Sequence, residues 1–313
     1  MSAIVLGAGH LIAVVAIAPL LNGVIRSVKA RFQQRKGPPL LQNYFDLAKW
    51  LGRREQLAQS TSYVHVLAPF GVLAASLAAS LFVPMFGDNT PLTSSGDLLV
   101  LLGLFALARA LLAMGGMDSG GAFGQMGSSR EMAVSSLVEP VLLISLVTLA
   151  VVPGTTRLGE IVAFGDSDPA KFLSVGWALA AAAFAVVLVA ETGRIPVDNP
   201  DTHLELTMIH EGMLIEYSGR SLAMMHLAHM VKQVLLIVLF ANVFLPFGLT
   251  GDHTVANYAL IVPLIAAKVV MVAVGLAVAE SSFAKMRLFQ LPDLLGAAAF
   301  VAMLGAAVTV LYR

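Results

Sequence analysis

The chain has no cysteine among its 313 residues. This absence excludes thiol chemistry and cysteine-ligated iron–sulfur clusters, so we expect no cofactor and no metal in this chain, and any redox electrons must travel through other chains. Charge is also scarce: charged residues make up 12% of the sequence, and 19 basic residues balance 19 acidic ones. The resulting net charge of zero argues against nucleic acid as a partner. With a mean hydropathy of +0.84, the composition indicates an integral membrane protein rather than a soluble domain.

Two further features are missing from the sequence. It has no internal repeat of about 20–50 residues and no low-complexity linker, which favours a single membrane domain over 1–313. No lysine or arginine precedes the first apolar segment, and no small-residue cleavage motif accompanies it. This segment is therefore predicted to be a retained span rather than a signal peptide.

Long apolar segments, in contrast, are abundant. Crossing about 30 Å of hydrocarbon takes roughly 20 helical residues, and eight segments approach this length. The predicted spans are 4–25, 63–86, 97–114, 131–152, 173–191, 221–246, 256–280 and 293–312. Of the 19 basic residues, 13 fall in loops on one side of this arrangement, three on the other side and three inside spans. Because basic residues concentrate in cytoplasmic loops, we predict an all-α polytopic protein with both termini outside and the charged loops in the cytoplasm.

Several predicted spans contain ionisable side chains, each of which costs roughly 2.5–3.5 kcal/mol at a helix centre on insertion scales. These residues are Arg109, Glu139, Glu191, His226, His229, Lys232, Lys268 and Glu280. They are explained either by buried ion pairs and snorkelling to the surface or by a functional polar pathway. For Glu191 and Glu280, at span ends, both explanations stay open. Glu139, Lys232 and Lys268 lie deeper and favour a proton pathway, because burial and charged partners bring such groups towards neutral pKa values.

The loop after the first span contains a short amphipathic segment. A basic stretch and a Gly-Pro-Pro break precede it, and apolar residues then recur at helical spacing from Leu40 to Leu51. Polar residues, among them Gln42, Asn43 and Asp46, take the other side. The pattern predicts an amphipathic helix in the cytoplasmic membrane surface. This helix is either a generic lipid anchor or an element that shapes a cavity entrance or docks a partner.

The segment ETGRIPVDNPDTHLELTMIHEGMLIEYSGR, 191–220, is rich in acidic residues although it joins two spans. Two prolines interrupt the helix of the preceding span, and Thr202 with Glu205 fits a capping box. A helix is therefore predicted over 202–217. Because this helix carries many apolar residues, we expect it to fold against the bundle rather than lie in solvent. Carboxylates clustered there would raise one another's pKa.

Three stretches of the sequence resemble a known family. ETGRIPVDNP with the downstream EYSG resembles the signature of the NADH-dehydrogenase subunit 1 family, which supplies the H subunit of respiratory complex I. RKGPPLLQNYFDLAKWL resembles the first cytoplasmic loop of that family, and the eight-span plan agrees, so the resemblance covers nearly the whole chain. Between the halves of the signature, THLELTMIHEG stands where complex I members usually carry an AESELVAG-like run. This form is similar to the equivalent subunit of membrane-bound group 4 NiFe hydrogenases, such as formate hydrogenlyase and hydrogenase-4 type complexes.

The resemblance implies a tilted bundle that anchors a hydrophilic redox arm and turns redox events there into proton or sodium movement. No residue of this chain is expected to be catalytic. The resemblance, together with the position of ionisable residues inside predicted spans, assigns twelve residues to the proton pathway. They are Glu139, Glu191, Asp198, Asp201, Glu205, Glu211, Glu216, Lys232, Lys268, Glu280, His203 and His210. The residues expected at the docked arm are Arg35, Lys36, Pro38, Pro39 and Arg194.

The resemblance also implies partners. Iron–sulfur clusters and a NiFe centre would lie in the hydrogenase large and small subunits and the iron–sulfur subunits of the arm. Antiporter-like membrane subunits would lie alongside, in the lipid bilayer of a prokaryotic cytoplasmic (inner) membrane. Three alternatives stay open: a quinone-binding H subunit of complex I, a stand-alone ion transporter, and a passive anchor whose charges only hold helices together. The run THLELTMIHEG argues against the first of them.

Overall fold

The computed structural model describes residues 3–58, 60–85, 92, 98–198, 208–248 and 255–312, and for 3–6 and 255–259 it describes the backbone alone. Three residues of the predicted pathway, Asp201, His203 and Glu205, lie outside these ranges, as does the capping residue Thr202. Within the described ranges the regular structure is helical, with no strand.

Twelve α-helices follow one another through the described residues. They are α1 (Ala3–Phe32), α2 (Gln42–Leu51), α3 (Tyr63–Ser80), α4 (Leu98–Asp118), α5 (Ala122–Val151), α6 (Leu158–Ser167), α7 (Pro169–Phe172), α8 (Val175–Glu191), α9 (His210–Leu214), α10 (Gly219–Leu239), α11 (Val255–Ser282) and α12 (Leu291–Leu311). A π-helix, Phe240–Phe244, continues α10, and a 3₁₀ turn, Leu288–Gln290, precedes α12. Seven of the helices (α1, α3, α4, α5, α10, α11 and α12) are long and apolar enough to cross a membrane, and α8 is a shorter apolar helix. The prediction of an all-α polytopic membrane protein with about eight spans is therefore confirmed.

Two helices extend well past the predicted span boundaries. α1 continues to Phe32, beyond the predicted end at 25, and α5 begins at Ala122 rather than at 131. In both places hydropathy falls at polar and charged residues while the backbone remains helical. Lys29 consequently lies on a helix packed in the bundle, although the span boundaries place it in a loop.

α10 forms the centre of the bundle. In its most apolar stretch 78% of the residues are buried, against 28–50% in the other long helices. It packs against α1, α2, α3, α8 and α11, so protein surrounds it on most sides. The other long helices keep an apolar face outward, as expected where lipid is the solvent. Polar residues of α10 therefore face other helices, and this places them within reach of charges on those helices.

The predicted amphipathic helix is present as α2, which packs against α1 and α10. Leu47 is buried in this contact. The helical period places Asn43 on the polar side, which is wrong, because Asn43 is 3% exposed and its amide donates to the Pro19 carbonyl oxygen at 2.8 Å. Trp50 stacks on His226 of α10 with ring centroids 4.6 Å apart. α2 is thus built into the bundle, which favours its interpretation as an element that shapes a cavity.

The helix predicted over 202–217 is present in part among the described residues. α9 ends at Leu214, which corrects the predicted end at 217. Beyond this end the Tyr217 ring is buried and stacks on His65 of α3, with centroids 3.9 Å apart. α9 packs on α4 and α5, and its apolar side chains are buried. The segment therefore folds against the bundle, as its apolar residues predict.

Gly127 of α5 makes a close backbone contact with the segment that contains α9. A Cβ atom at Gly127 would lie 2.8 Å from the Ile209 carbonyl oxygen and 3.1 Å from the Met213 backbone nitrogen. Gly127→Ala is expected to push α9 away from α5 and to destabilise the protein by about 1–3 kcal/mol, the usual cost of overpacking. Gly103→Ala on α4 is the matched control, because a Cβ there meets nothing within 4 Å. Thermal unfolding in detergent compares the two, and equal midpoints would contradict the prediction.

Candidate functional site

Four helices bring oppositely charged side chains together inside the bundle. Arg109 of α4 contacts Glu139 of α5 and, at 2.5 Å, Glu191 at the end of α8. Its Nε atom lies 3.7 Å from a carboxylate oxygen of Glu131, also on α5. Lys232 of α10 lies 2.5 Å from the second oxygen of Glu191. These five residues are called the Arg109 network, and its central pair is deeply buried, with the Arg109 and Glu191 side chains 3% and 4% exposed.

The Arg109 network has an uneven charge balance. It contains three carboxylates and two cations, so one carboxylate is in excess when all five groups are ionised. Carboxylates crowded together at low dielectric disfavour one another's ionisation. Neutralising one of the three carboxylates would leave two carboxylates for two cations, so neither cation would lack a counter-charge. Glu191 is the carboxylate that contacts both cations, one through each of its oxygens.

A second group of charges surrounds Glu280 of α11. One oxygen of Glu280 accepts from Lys29 of α1 at 2.7 Å and the other accepts from Arg194 at 2.7 Å. Arg194 also donates to the side-chain oxygen of Asn22 at 3.0 Å. Lys29, Arg194 and Glu280 are called the Glu280 network. The Glu280 side chain is fully buried, so it pairs inside the protein and does not snorkel, and the same holds for Glu191 in the Arg109 network.

Asp198 connects the loop after α8 to two other parts of the chain. One of its oxygens accepts from the backbone nitrogens of Ile209 and His210, each at 3.2 Å, and so caps the start of α9. The other oxygen lies 3.3 Å from the Lys285 ammonium, in the segment after α11. Asp198 thereby ties the backbone at His210, where α9 begins, to the loop after α8.

Three cavities border this loop. One of about 40 Å³ and one of about 20 Å³ are both lined by Arg109, Glu131 and Glu191, and each is large enough for water. The third, of about 610 Å³, lies between α1, α2, α10 and the loop, and is called the large cavity. Its basic lining residues are Arg26, Lys29, Arg35, Lys36 and Arg194. Gly193 and His210 line all three cavities, and a Cβ at Gly193, whose φ is +58°, would meet nothing within 4 Å. The loop is therefore the place where the three spaces adjoin.

Histidine rings gather at this junction. His210 and His229 pack with ring centroids 4.3 Å apart, and both line the large cavity and the 40 Å³ cavity. The Nε2 atom of His210 is enclosed and has no hydrogen-bond partner among the described residues. Burial lowers the pKa of His210 to about 3, and the nearby His226 and Lys232 act in the same direction, so the ring is neutral at pH 7. Among the described residues no group of three or more His, Cys, Asp or Glu is arranged to hold a metal ion.

Lys268 of α11, expected in the pathway, binds backbone instead of carboxylates in its described contacts. Its ammonium donates to the carbonyl oxygens of Leu245 at 2.7 Å and Phe247 at 2.5 Å. These carbonyls follow the π-helix that ends α10, where helix geometry leaves carbonyls without backbone donors. Lys268 therefore caps the end of the central helix.

The remaining predicted residues fall into two places. Glu211 is half-buried at the large cavity, and Glu216 lies against Gly121 at the start of α5. The exposed Arg35 and Lys36 line the large cavity with Pro38, and Pro39 is exposed beside them. Arg194, expected at the docked arm, is buried in the Glu280 network. The structure thus brings most of the described pathway residues around one loop and one large cavity.

Three charged residues of this region escape sequence reasoning. Arg109 is visible in the sequence as an ionisable residue in a span, but nothing there pairs it with carboxylates on α5 and α8 or assigns it to the pathway. Glu131 stands at a predicted span boundary, and Lys29 stands in a predicted loop. A boundary drawn from helical periodicity rather than hydropathy places Lys29 on the buried side of α1, since it lies four residues after the buried Ile25.

Comparison with known sequences gives a consistent result. Residues 6–311 match the NADH dehydrogenase protein family. The chain is 35% identical to formate hydrogenlyase subunit 4 of Escherichia coli K12 over 274 residues, 87% of this chain and 88% of that protein. It is 35% identical to hydrogenase-4 component C of the same organism over 276 residues, 87% of this chain and 84% of that protein. It is 27% identical to an NADH-quinone oxidoreductase subunit of Salinibacter ruber, over 69% of this chain and 64% of that protein.

The fold also has a solved counterpart. A chain of the membrane-bound sulfane sulfur reductase, an archaeal respiratory membrane complex, superposes with a TM-score of 0.88 at 21% sequence identity. The superposition covers 99% of this chain and 100% of that one. At this identity the match concerns the fold alone. The resemblance inferred from ETGRIPVDNP, EYSG and the first loop is confirmed by these comparisons.

Proposed function

This chain belongs to the NADH dehydrogenase family, and on that premise we propose that it is the membrane subunit of a group 4 NiFe hydrogenase complex. In this role it anchors the redox arm and couples hydrogen formation or oxidation there to proton transport. The relatives at 35% identity, named as a formate hydrogenlyase subunit and a hydrogenase-4 component, support the choice of a hydrogenase complex over complex I.

The observation that carries the transport role is the Arg109 network. Its charges lie among apolar helices, where ionisable groups are costly and usually functional. A passive anchor is served equally well by neutral contacts, since a buried ion pair is weak evidence for stability. The excess carboxylate gives the network a protonation site, and its two bordering cavities have room for water that would carry protons to it.

The loop after α8 supplies a physical route for coupling. It carries Gly193, Arg194 and Asp198, and thus touches the large cavity, the Glu280 network and the start of α9. A change of charge at an arm docked over the large cavity would act electrostatically on Arg194 and Asp198, because the low dielectric of the protein screens this interaction poorly. Any shift of this loop alters the position of Glu191, which directly precedes it. Proton uptake or release by the Arg109 network would follow.

Other parts of the proposal concern partners and position. The exposed Arg35 and Lys36 with Pro38 and Pro39 would contact the arm, which holds the NiFe centre and the iron–sulfur clusters. Antiporter-like subunits would adjoin the bundle, in the cytoplasmic membrane of a prokaryote with both termini outside. The exposed Arg35 and Lys36 in the lining of the large cavity support an acidic surface on the docking partner.

One observation favours a second candidate, the quinone-binding H subunit of a complex I. The large cavity, about 610 Å³, falls within the range of roughly 300–1,000 Å³ found for small-molecule sites. In a hydrogenase complex no quinone is required, because protons accept the electrons. The two candidates therefore differ in the partner chains and in the electron acceptor.

Affinity purification from membranes in a mild detergent tests the assignment. We expect a NiFe large subunit to co-purify, and the purified complex to form hydrogen from a reduced low-potential viologen without added quinone. Co-purification of a nucleotide-binding arm together with quinone-dependent activity would replace the first candidate by the second. Ion transport by the isolated chain in vesicles would instead establish a stand-alone transporter.

A further inference from the structure

The His210 and His229 rings occupy the boundary between two of the three cavities. Both rings line the large cavity on one side and the 40 Å³ cavity, which holds Arg109, Glu191 and Lys232 in its wall, on the other. The rings are in contact, with centroids 4.3 Å apart and planes inclined by 38°. Gly193 lines both cavities as well but has no side chain, so the two rings supply the polar side-chain atoms at this boundary.

We propose that the His210–His229 pair is the passage through which protons move between the large cavity and the Arg109 network. The inference rests on the proposed function and deepens it by naming the entry point. Its chemistry is a relay: one imidazole nitrogen accepts a proton, and the other nitrogen of the same ring releases its own proton to the next group. No net charge remains on the ring after each passage, so protons and charge balance.

The charges around the His210 and His229 rings favour transfer of a proton through the rings over its retention on them. Lys232 follows His229 by one helical turn on α10, and Arg194 and Asp198 face the rings from the loop after α8, while His226 lies one turn before His229. The positive charges of Lys232 and Arg194 disfavour a protonated imidazole and favour transfer of its proton onward to a carboxylate. Two carboxylates, Glu131 and Glu191, line the same small cavity, and Glu191 also contacts Lys232.

A purely structural role explains the pair less well. The Nε2 atom of His210 is enclosed, and no described residue hydrogen-bonds it. A buried polar atom without a partner lowers stability, whereas an apolar ring has no such atom. A phenylalanine would fill the same space and keep the ring contact. An imidazole at this position is therefore explained by what its nitrogens do during turnover, when a water or the neighbouring ring reaches them.

The test uses the whole complex reconstituted in vesicles with the arm outside and a pH-sensitive dye in the lumen. Reduced viologen drives hydrogen formation, and the ratio of protons transported to hydrogen formed is measured. His210→Phe and His229→Phe are expected to keep hydrogen formation within about two-fold while the ratio falls about five-fold or more. His65→Phe is the matched control, because His65 is buried, stacks on Tyr217 and lines none of the three cavities described above.

Chemical rescue separates a proton passage from a structural contact. The large cavity has room for free imidazole, so added imidazole is expected to restore at least part of the ratio in His210→Phe and to leave the His65 variant unchanged. If a phenylalanine variant fails to assemble, His210→Gln, which keeps a polar side chain of similar reach, takes its place with the same expectations. Loss of the ratio without rescue would assign the pair a structural role and overturn the proposal.

The outcome also distinguishes this inference from the function on which it rests. Normal ratios in both histidine variants, with a lost ratio in Glu191→Gln, would overturn the passage and leave the transport role intact. Normal ratios in all three variants would overturn both.

Discussion

Glu191→Gln is expected to stop proton transport while the assembled complex continues to form hydrogen. The substitution keeps the shape of the side chain but removes the carboxylate that contacts both Arg109 and Lys232. It also removes the excess negative charge, leaving two carboxylates and two cations, so the bundle is expected to assemble. The ratio of protons transported to hydrogen formed should fall about ten-fold or more, because the network can no longer accept and release a proton at this position.

The same chain offers a matched control for this result. Glu160→Gln changes a carboxylate that pairs with Arg157 outside the bundle, where both side chains are about half exposed. This variant should transport protons at the unchanged ratio. A full ratio in Glu191→Gln, measured in the same vesicles, would show that Glu191 has no part in transport and would favour the passive anchor.

Arg109→Met is expected to have the largest effect on stability. It leaves the three carboxylates of the network, Glu131, Glu139 and Glu191, with Lys232 as the remaining cation of the network in an apolar setting. Removing one partner from a buried ion pair typically costs about 3–5 kcal/mol, because the remaining charge stays buried. We expect loss of the subunit from detergent-purified complexes, or a markedly lower unfolding temperature. Arg109→Lys should recover only part of the loss, since one ammonium cannot reproduce the planar guanidinium's contacts with several carboxylates.

Arg157→Met is the counterpart on the protein surface. Its ion pair with Glu160 is exposed, and such pairs contribute at most about 1 kcal/mol. Unfolding temperature and subunit content should therefore match those of the unmodified protein. If Arg109→Met proves as stable as Arg157→Met, the carboxylates around Arg109 are protonated or solvated in the membrane, and the charge balance described for this network is wrong.

The spans were predictable because hydrophobic length is a one-dimensional property of the sequence. Hydropathy identifies α8 and α12 nearly to their ends, since apolar composition and helix coincide there. It fails at the extended ends of α1 and α5, where helices continue into charged sequence. Asn43 illustrates a different limit: periodicity orders residues around a helix, but only the position of α1 decides which side is covered.

The sequence predicts many of the charged residues of the site, but it does not predict which of them form ion pairs with each other. A charge in an apolar span is conspicuous, so Glu139, Glu191 and Lys232 stand out individually. Which cation meets which carboxylate depends on the packing of four helices that are distant in sequence, and the sequence does not encode this locally. Lys268 shows the consequence, because its depth suggests a pathway residue while its described contacts are carbonyls at the end of the π-helix.

The two charged contacts of α11 together restrict how that helix can move. Lys268 hydrogen-bonds the end of α10, and Glu280 forms ion pairs with Lys29 of α1 and with Arg194. The two residues are twelve positions apart and therefore about 18 Å apart along the helix axis. A slide or rotation of α11 would break both attachments at once. We therefore expect α11 to stay fixed during turnover. Any movement is expected in the segment that follows Glu191, where Gly193 lines all three cavities and has open space around it.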